Sequence, residues 1–127
     1  MLNENQLKKR TLVMGASDNP DRYSNMAIRS LKAHGESVAA LGRKPGRVEG
    51  VEILTGTPAL EDIGTVTLYL SAANQVQFYD YIRSLHPDRV IFNPGAENPD
   101  LQRLLQRDGV EVLEACTLVM LSTGQYR

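Results

Sequence analysis

Residues 11–41, TLVMGASDNPDRYSNMAIRSLKAHGESVAAL, decide the fold. Thr11 to Gly15 is a short apolar run closing on a glycine, the pattern of a buried strand. A polar, turn-rich stretch follows, and a helical pattern then runs from about Ser24 to His34. Ala27, Ile28 and Leu31 form its core-facing stripe, and Gly35 is placed to end it. Ser37 to Leu41 reads as a second strand. Strand, helix and strand within roughly thirty residues match the size of one βαβ crossover.

The same alternation continues along the chain. Val48 to Leu54, centred on Gly50, reads as a short excursion or hairpin, and a turn of helix is expected over Ala59 to Ile63. A third strand is expected over Val66 to Leu70, then a helix over Asn74 to Leu85 with Phe78, Ile82 and Leu85 on one face. Arg89 to Phe92 is a fourth strand. The helix of Asn98 to Arg107 has a plain start, with Asn98 as N-cap, Pro99 at the first helical position and Asp100 beside it. Gly109 ends that helix, Val110 to Leu113 is a fifth strand, and an apolar helix runs from Ala115 to about Ser122. The prediction is an α/β protein: a single three-layer domain with a five-stranded, mostly parallel sheet, over residues 1–127. Right-handed crossovers favour a strand order such as 3-2-1-4-5. Residues 1–9 read as a polar N-terminal extension.

At 127 residues the chain has room for one domain with a real core. A net charge of −1 supplies no global pull toward nucleic acid or an anionic membrane, and no basic stripe with interleaved aromatics suggests a nucleic-acid partner. The opening MLNENQLKKR lacks the apolar core of a signal peptide, and no run approaches the length of a membrane span. One cysteine allows no internal disulfide. A cytoplasmic protein is expected, and the apolar last helix points to a homo-oligomer.

In a sheet of this kind the ligand crevice lies beyond the carboxyl ends of the strands. The first loop there, GASDNPDRYS, is the most informative. Gly15 permits a tight turn and close approach of a ligand to backbone, and the helix that follows offers free N–H groups to an anion. Ser17, Asn19 and Ser24 can add hydrogen bonds to phosphate oxygens. The GxGxxG fingerprint of dinucleotide sites is absent. After the second strand, where an NAD site wants a carboxylate, the chain has Gly42, Arg43 and Lys44. Two cations there suit a phosphate on the adenosine ribose, which both NADP and coenzyme A carry.

The stretch GASDNPDRYSNMAIRSLKAHGESVAALGRK, with VTLYLSAANQ and VIFNPGAENPDLQRLLQRDGVEVLEACTLVM, resembles the small CoA-binding protein family. That family is related to the CoA-binding domain of the succinyl-CoA synthetase alpha subunit. The likeness runs from Thr11 to about Met120. It implies a Rossmann-like domain with coenzyme A as cofactor, its pyrophosphate over a loop matched by Gly15, Ala16, Ser17, Asn19 and Pro20. It implies a basic residue near the 3′-phosphate, matched by Lys44 with Arg43 adjacent. Ser71 and Ala72 fall where the family lines the adenosine side, and Asn93, Pro94 and Gly95 occupy the loop facing the pantetheine arm. The chain departs from the common pattern at Gly42-Arg43, where a proline often precedes the lysine, and at Cys116-Thr117, where Cys-Pro is frequent.

No convincing catalytic group emerges. His34 reads as a helix-capping residue and His86 as part of a turn on the opposite, amino edge of the sheet. Cys116 follows the fifth strand at the carboxyl edge, near a helix start that can favour a thiolate. Free cysteines are mostly buried, however, and its apolar neighbours Leu118, Val119 and Met120 favour that reading over a nucleophilic one. Glu97 reads as solvated, and two distant histidines with one cysteine make no metal-ligand spacing. The expected function is binding of CoA or acyl-CoA without an evident catalytic centre. The alternatives are an NADP-dependent reductase and a nucleotide-free interaction protein with a relict pocket.

Overall fold

The computed structural model describes residues 9–127; the expected polar extension falls, apart from residue 9, outside them. The chain runs β1 (Arg10–Met14), α1 (Tyr23–Ala33), β2 (Val38–Leu41), β3 (Gly46–Val48), β4 (Val51–Leu54) and β5 (Ile63–Leu68). It continues through α2 (Ala72–Gln75), a 3₁₀ turn (Val76–Phe78), α3 (Tyr79–Ser84), β6 (Arg89–Phe92), α4 (Pro99–Arg107), β7 (Glu111–Glu114) and α5 (Thr117–Ser122). One open mixed sheet has the order β3-β4-β2-β1-β5-β6-β7, with only β3 antiparallel to its neighbour.

The sheet therefore has seven strands, not the expected five. The two extra strands come from the excursion of residues 46–54. Glu49 and Gly50 both take positive φ, 49° and 77°, which closes a two-residue hairpin between Val48 and Val51. Its second strand, β4, then pairs in parallel with β2, Ala40 opposite Ile53. That occupies the place beside β2 which the order 3-2-1-4-5 assigned to the strand after the excursion. That strand, β5, lies instead on the other side of β1, with Leu12 opposite Val66. It spans Ile63–Leu68 rather than Val66–Leu70. No helix forms over Ala59 to Ile63, because the chain there is already turning into β5, with Asp62 at φ 60°.

The helix expected over Asn74 to Leu85 is divided into α2, the 3₁₀ turn and α3. Phe78 leaves helical geometry at φ −107°, ψ 4°. The expected face survives the break: Ile82 is fully buried, and Phe78 and Leu85 pack beside it. The other start and stop signals hold. Asn98 Oδ1 accepts from Leu101 N at 3.1 Å ahead of Pro99, Gly35 and Gly109 follow α1 and α4 at positive φ, and His34 caps α1.

Alternation along β1 divides the core. Leu12 and Met14 face one side with Val66, Leu68, Val90 and Phe92, covered by Ile82, Leu101 and Leu105 from α3 and α4. Val13 faces the other with Ala40, Ile53 and Ile91, covered by Ile28 and Leu31 of α1 and Met120 and Leu121 of α5. A sheet buried on both faces explains the continuous apolar runs of its central strands. The apolar character of α5 is largely spent in this layer, leaving Val119 as its exposed large apolar residue. None of the helices described is long and apolar enough to cross a membrane.

Candidate functional site

The order of strand addition reverses across β1, with β2 to one side and β5 to the other, all three parallel, so the topological switch lies at the carboxyl ends of β1 and β5. The chain turns tightly there. Gly15, at φ 85°, sends its amide and that of Ala16 to the Leu41 carbonyl at 3.0 and 2.8 Å. A Cβ at Gly15 would stand 2.9 Å from the Tyr69 carbonyl, so glycine is required by both conformation and space.

The loop between β1 and α1 is stiffened by its own polar groups. Ser17 Oγ accepts from Asn19 N at 3.1 Å and Asn19 Oδ1 accepts from Asp21 N at 2.9 Å. Asn25 Nδ2 donates to the Ser17 carbonyl, and Arg29 joins Asn25 Oδ1 to the Pro20 carbonyl. Ser17 keeps its hydroxyl proton to donate, whereas its oxygen and that of Asn19 already serve the turn. Arg22 at the N-cap of α1 makes no side-chain hydrogen bond, so the first-turn amides of α1 have no cap among the described residues. Ser24, in that first turn, is buried.

The loop after β2 packs directly against this one. Gly42 donates to the Leu54 carbonyl at 2.9 Å, and a Cβ there would lie 2.3 Å from the Ala16 carbonyl oxygen. Exposed Arg43 and Lys44 follow immediately. Asp18 of the first loop rests over Gly46, its carboxylate 3.1 Å from where a Cβ would be. The approach of this carboxylate to the chain just after the Arg43–Lys44 loop is not signalled by the sequence.

The loops after β5 and β6 are tied by buried carboxamides. Ser71 Oγ caps α2 at Asn74 N, 3.4 Å away, and Ala72 is half-buried behind it. Gln75, fully buried, donates to the Leu70 carbonyl at 2.8 Å and to the Ala96 carbonyl at 2.7 Å. Asn98 donates to Gln75 Oε1 at 2.9 Å and to the Tyr79 hydroxyl at 2.8 Å. Asn93 is turned into the protein: it donates to Thr67 Oγ1 at 2.7 Å and the Leu68 carbonyl at 2.9 Å, and accepts from Thr117 N at 2.9 Å. Pro94 and Gly95 are the exposed members of that loop, and Gly95 N donates to Glu97 Oε1 at 2.9 Å. All thirteen positions expected from sequence thus lie at or beside the carboxyl edge, but the Asn93 carboxamide is spent internally.

The Tyr69 hydroxyl is buried without a hydrogen-bond partner of normal geometry, near the Thr67 and Thr117 hydroxyls and Cys116. Burial holds its proton well above the ordinary phenol range, the Cys116 thiol adds to that, and the threonine hydroxyls oppose it. Cys116 itself is half-buried, at the N-cap of α5. His34 Nδ1 meets the Ser30 carbonyl at 2.7 Å, and His86 sits in a turn at φ 49°. His86 lines an amino-edge recess of about 440 Å³ with Asp80, Arg83, Ser84 and Asp108. Arg83 and Asp108 already pair there through two hydrogen bonds. A second amino-edge recess, of about 340 Å³, includes the ion-paired Lys9 and Asp88. Among the described residues no group of three or more His, Cys, Asp or Glu could hold a metal ion.

The class defined here is an α/β protein whose glycine turn, uncapped helix and basic loop converge at a sheet switch point. The chain belongs to the CoA-binding domain family, whose profile matches residues 9–122. Among solved structures it is 47% identical to one described as an uncharacterized protein, with a TM-score of 0.90, covering 93% of this chain and 98% of that one. A conserved hypothetical protein from Pyrococcus furiosus has the same fold at 22% identity and a TM-score of 0.75, covering 87% of this chain and 97% of its own. A dinucleotide-forming acetyl-coenzyme A synthetase from Candidatus Korarchaeum cryptofilum, solved with phosphate and ADP, is similar in fold at 14% identity and a TM-score of 0.68. This match covers 88% of the present chain and 27% of the synthetase. No curated protein matches the chain.

Proposed function

We propose that the chain binds coenzyme A or an acyl-CoA across the carboxyl edge of a Rossmann-like sheet, as a binding module rather than a free-standing catalyst. The observation that carries this reading is the contact of Gly42 with Ala16, which sets the Arg43–Lys44 loop directly against the glycine turn. A ligand with a pyrophosphate and a ribose phosphate needs two anion sites within one nucleotide's reach. The pyrophosphate lies over Gly15, Ala16, Ser17, Asn19 and Pro20, held by the Ser17 proton and the uncapped first-turn amides of α1 around Ser24, since the amides of Gly15, Ala16 and Asn19 are engaged within the protein. Lys44, with Arg43, meets the 3′-phosphate through charge-assisted contact. Ser71 and Ala72 border the adenosine, and the loop Asn93, Pro94 and Gly95 borders the pantetheine arm through its backbone and exposed face, since the Asn93 carboxamide is engaged within the protein.

Calorimetric titration with CoA, dephospho-CoA and NADP tests the reading. CoA should bind tightest, and loss of the 3′-phosphate should weaken it. Equal affinity for CoA and dephospho-CoA would remove the role given to Arg43 and Lys44, and tighter binding of NADP would favour a reductase. Absence of binding by all three would leave a relict pocket.

A further inference from the structure

We propose that Gln75 is a positioning residue that fixes the distance between the adenosine-side and pantetheine-side loops, so that the two halves of the ligand are held as one unit. This rests on the CoA reading above and assigns to a buried side chain a part in affinity for the whole ligand.

The geometry is specific to that task. Gln75 has no solvent exposure, and its two amide protons go to carbonyls on different loops: Leu70, just ahead of Ser71, and Ala96, just after Gly95. A single carboxamide therefore clamps the two loops at 2.8 and 2.7 Å. Its oxygen is oriented by Asn98 Nδ2, which is in turn held by Tyr79. Asn98 is fixed as the cap of α4 through Leu101 N. The clamp is thus anchored to α4 on one side and to α2 on the other. Burying a glutamine among satisfied partners is tolerable, whereas removing its donors leaves two inward carbonyls unpaired and the loops free to separate. Separation need not spoil either loop alone. It removes the benefit of presenting both at a set spacing, the gain that linked ligands draw from preorganised sites.

The test compares CoA with its two halves, adenosine 3′,5′-bisphosphate and 4′-phosphopantetheine, titrated into the wild-type chain, Gln75→Met and Tyr79→Phe. Gln75→Met keeps the volume and loses the donors; Tyr79→Phe loosens only the outer end of the chain of hydrogen bonds and spares the fold if the first variant does not. The expected result is a loss of CoA affinity of about tenfold in Gln75→Met and a smaller loss of the same sign in Tyr79→Phe, each fragment staying within about twofold of wild type. A merely structural role would lower all three affinities together, and that result, or unchanged CoA binding in a folded Gln75→Met, would overturn the proposal. Failure of the wild type itself to bind CoA would instead overturn the site assignment, and this proposal with it.

Discussion

Gly42 lies so close to Ala16 that one added methyl carbon would stand 2.3 Å from the Ala16 carbonyl oxygen. The same position has the Ile53 side chain at 2.9 Å on another flank. The atom in the way is backbone, so it cannot rotate aside as a flexible side chain would. The loops after β1 and β2 can lie this close only while this position is bare.

Gly42→Ala should accordingly force the two loops apart. The expected outcome is a destabilisation of about 1–3 kcal/mol from overpacking, together with a loss of CoA binding larger than that in any single exposed-loop substitution. Urea unfolding and CoA titration of the same sample check both parts.

Lys44→Ala should weaken CoA by about 1.5–3 kcal/mol if it makes a charge-assisted contact, roughly tenfold to a hundredfold in affinity. Dephospho-CoA should bind the variant and the wild type alike. A double-mutant comparison, protein charge against ligand phosphate, isolates the contact from any general change in surface charge.

Tyr69 should respond to pH in one direction only. Its folded-state proton is held above the ordinary phenol value of 10.0, chiefly by burial. Below that value both folded and unfolded chains keep the proton and stability does not depend on it. As pH rises past about 10 the unfolded chain releases its proton first, so stability falls through the alkaline range up to the folded-state value. Tyr69→Phe should flatten this alkaline loss relative to wild type. At neutral pH, removing a hydroxyl that is buried without a partner should be neutral or stabilise by about 1 kcal/mol. Melting temperatures of both proteins across neutral and alkaline pH decide it.

Tyr126 should be among the residues most costly to truncate, although it lies far from the candidate site. It is buried at 3% exposure, its hydroxyl meets Thr11 on β1, and the Arg89 guanidinium sits 4.4 Å from its ring centre. Arg89 also donates to its carbonyl at 2.7 Å. Tyr126→Ala should cost about 3–5 kcal/mol by equilibrium unfolding, with CoA affinity of the folded fraction unchanged.

Much of the architecture was legible because it follows from local pattern. Strand and helix alternation gave the layered α/β class, and Asn98-Pro99-Asp100 marked the start of α4 at the position observed. The hairpin of residues 46–54 was ambiguous because its strands are three and four residues long and one turn position is Glu49 at positive φ rather than a glycine or asparagine. The break at Phe78 has no proline or glycine to signal it. At the site, topology placed the expected loops on one edge, since each follows the carboxyl end of a sheet strand. What each polar side chain does there was not legible. Gln75 joins carbonyls on either side of a loop pair, one of them 21 residues away, and Asn93 meets Thr67 at a separation of 26. Such partners are set by tertiary packing, and in sequence a buried glutamine on a short helix looks like a solvated one.

The hairpin that raised the strand count has a consequence for the two cations before it. Leu41 ends a strand buried in the core, and Gly46 begins one paired with Ile53, so Arg43 and Lys44 sit on a short bridge whose two abutments belong to the same sheet. A basic tail of equal charge would have to surrender its wandering each time it met a phosphate. Here the main chain has already done so during folding, and binding needs to still only the two side chains. On the proposed CoA reading, a phosphate would meet this bridge with its backbone already set by the sheet.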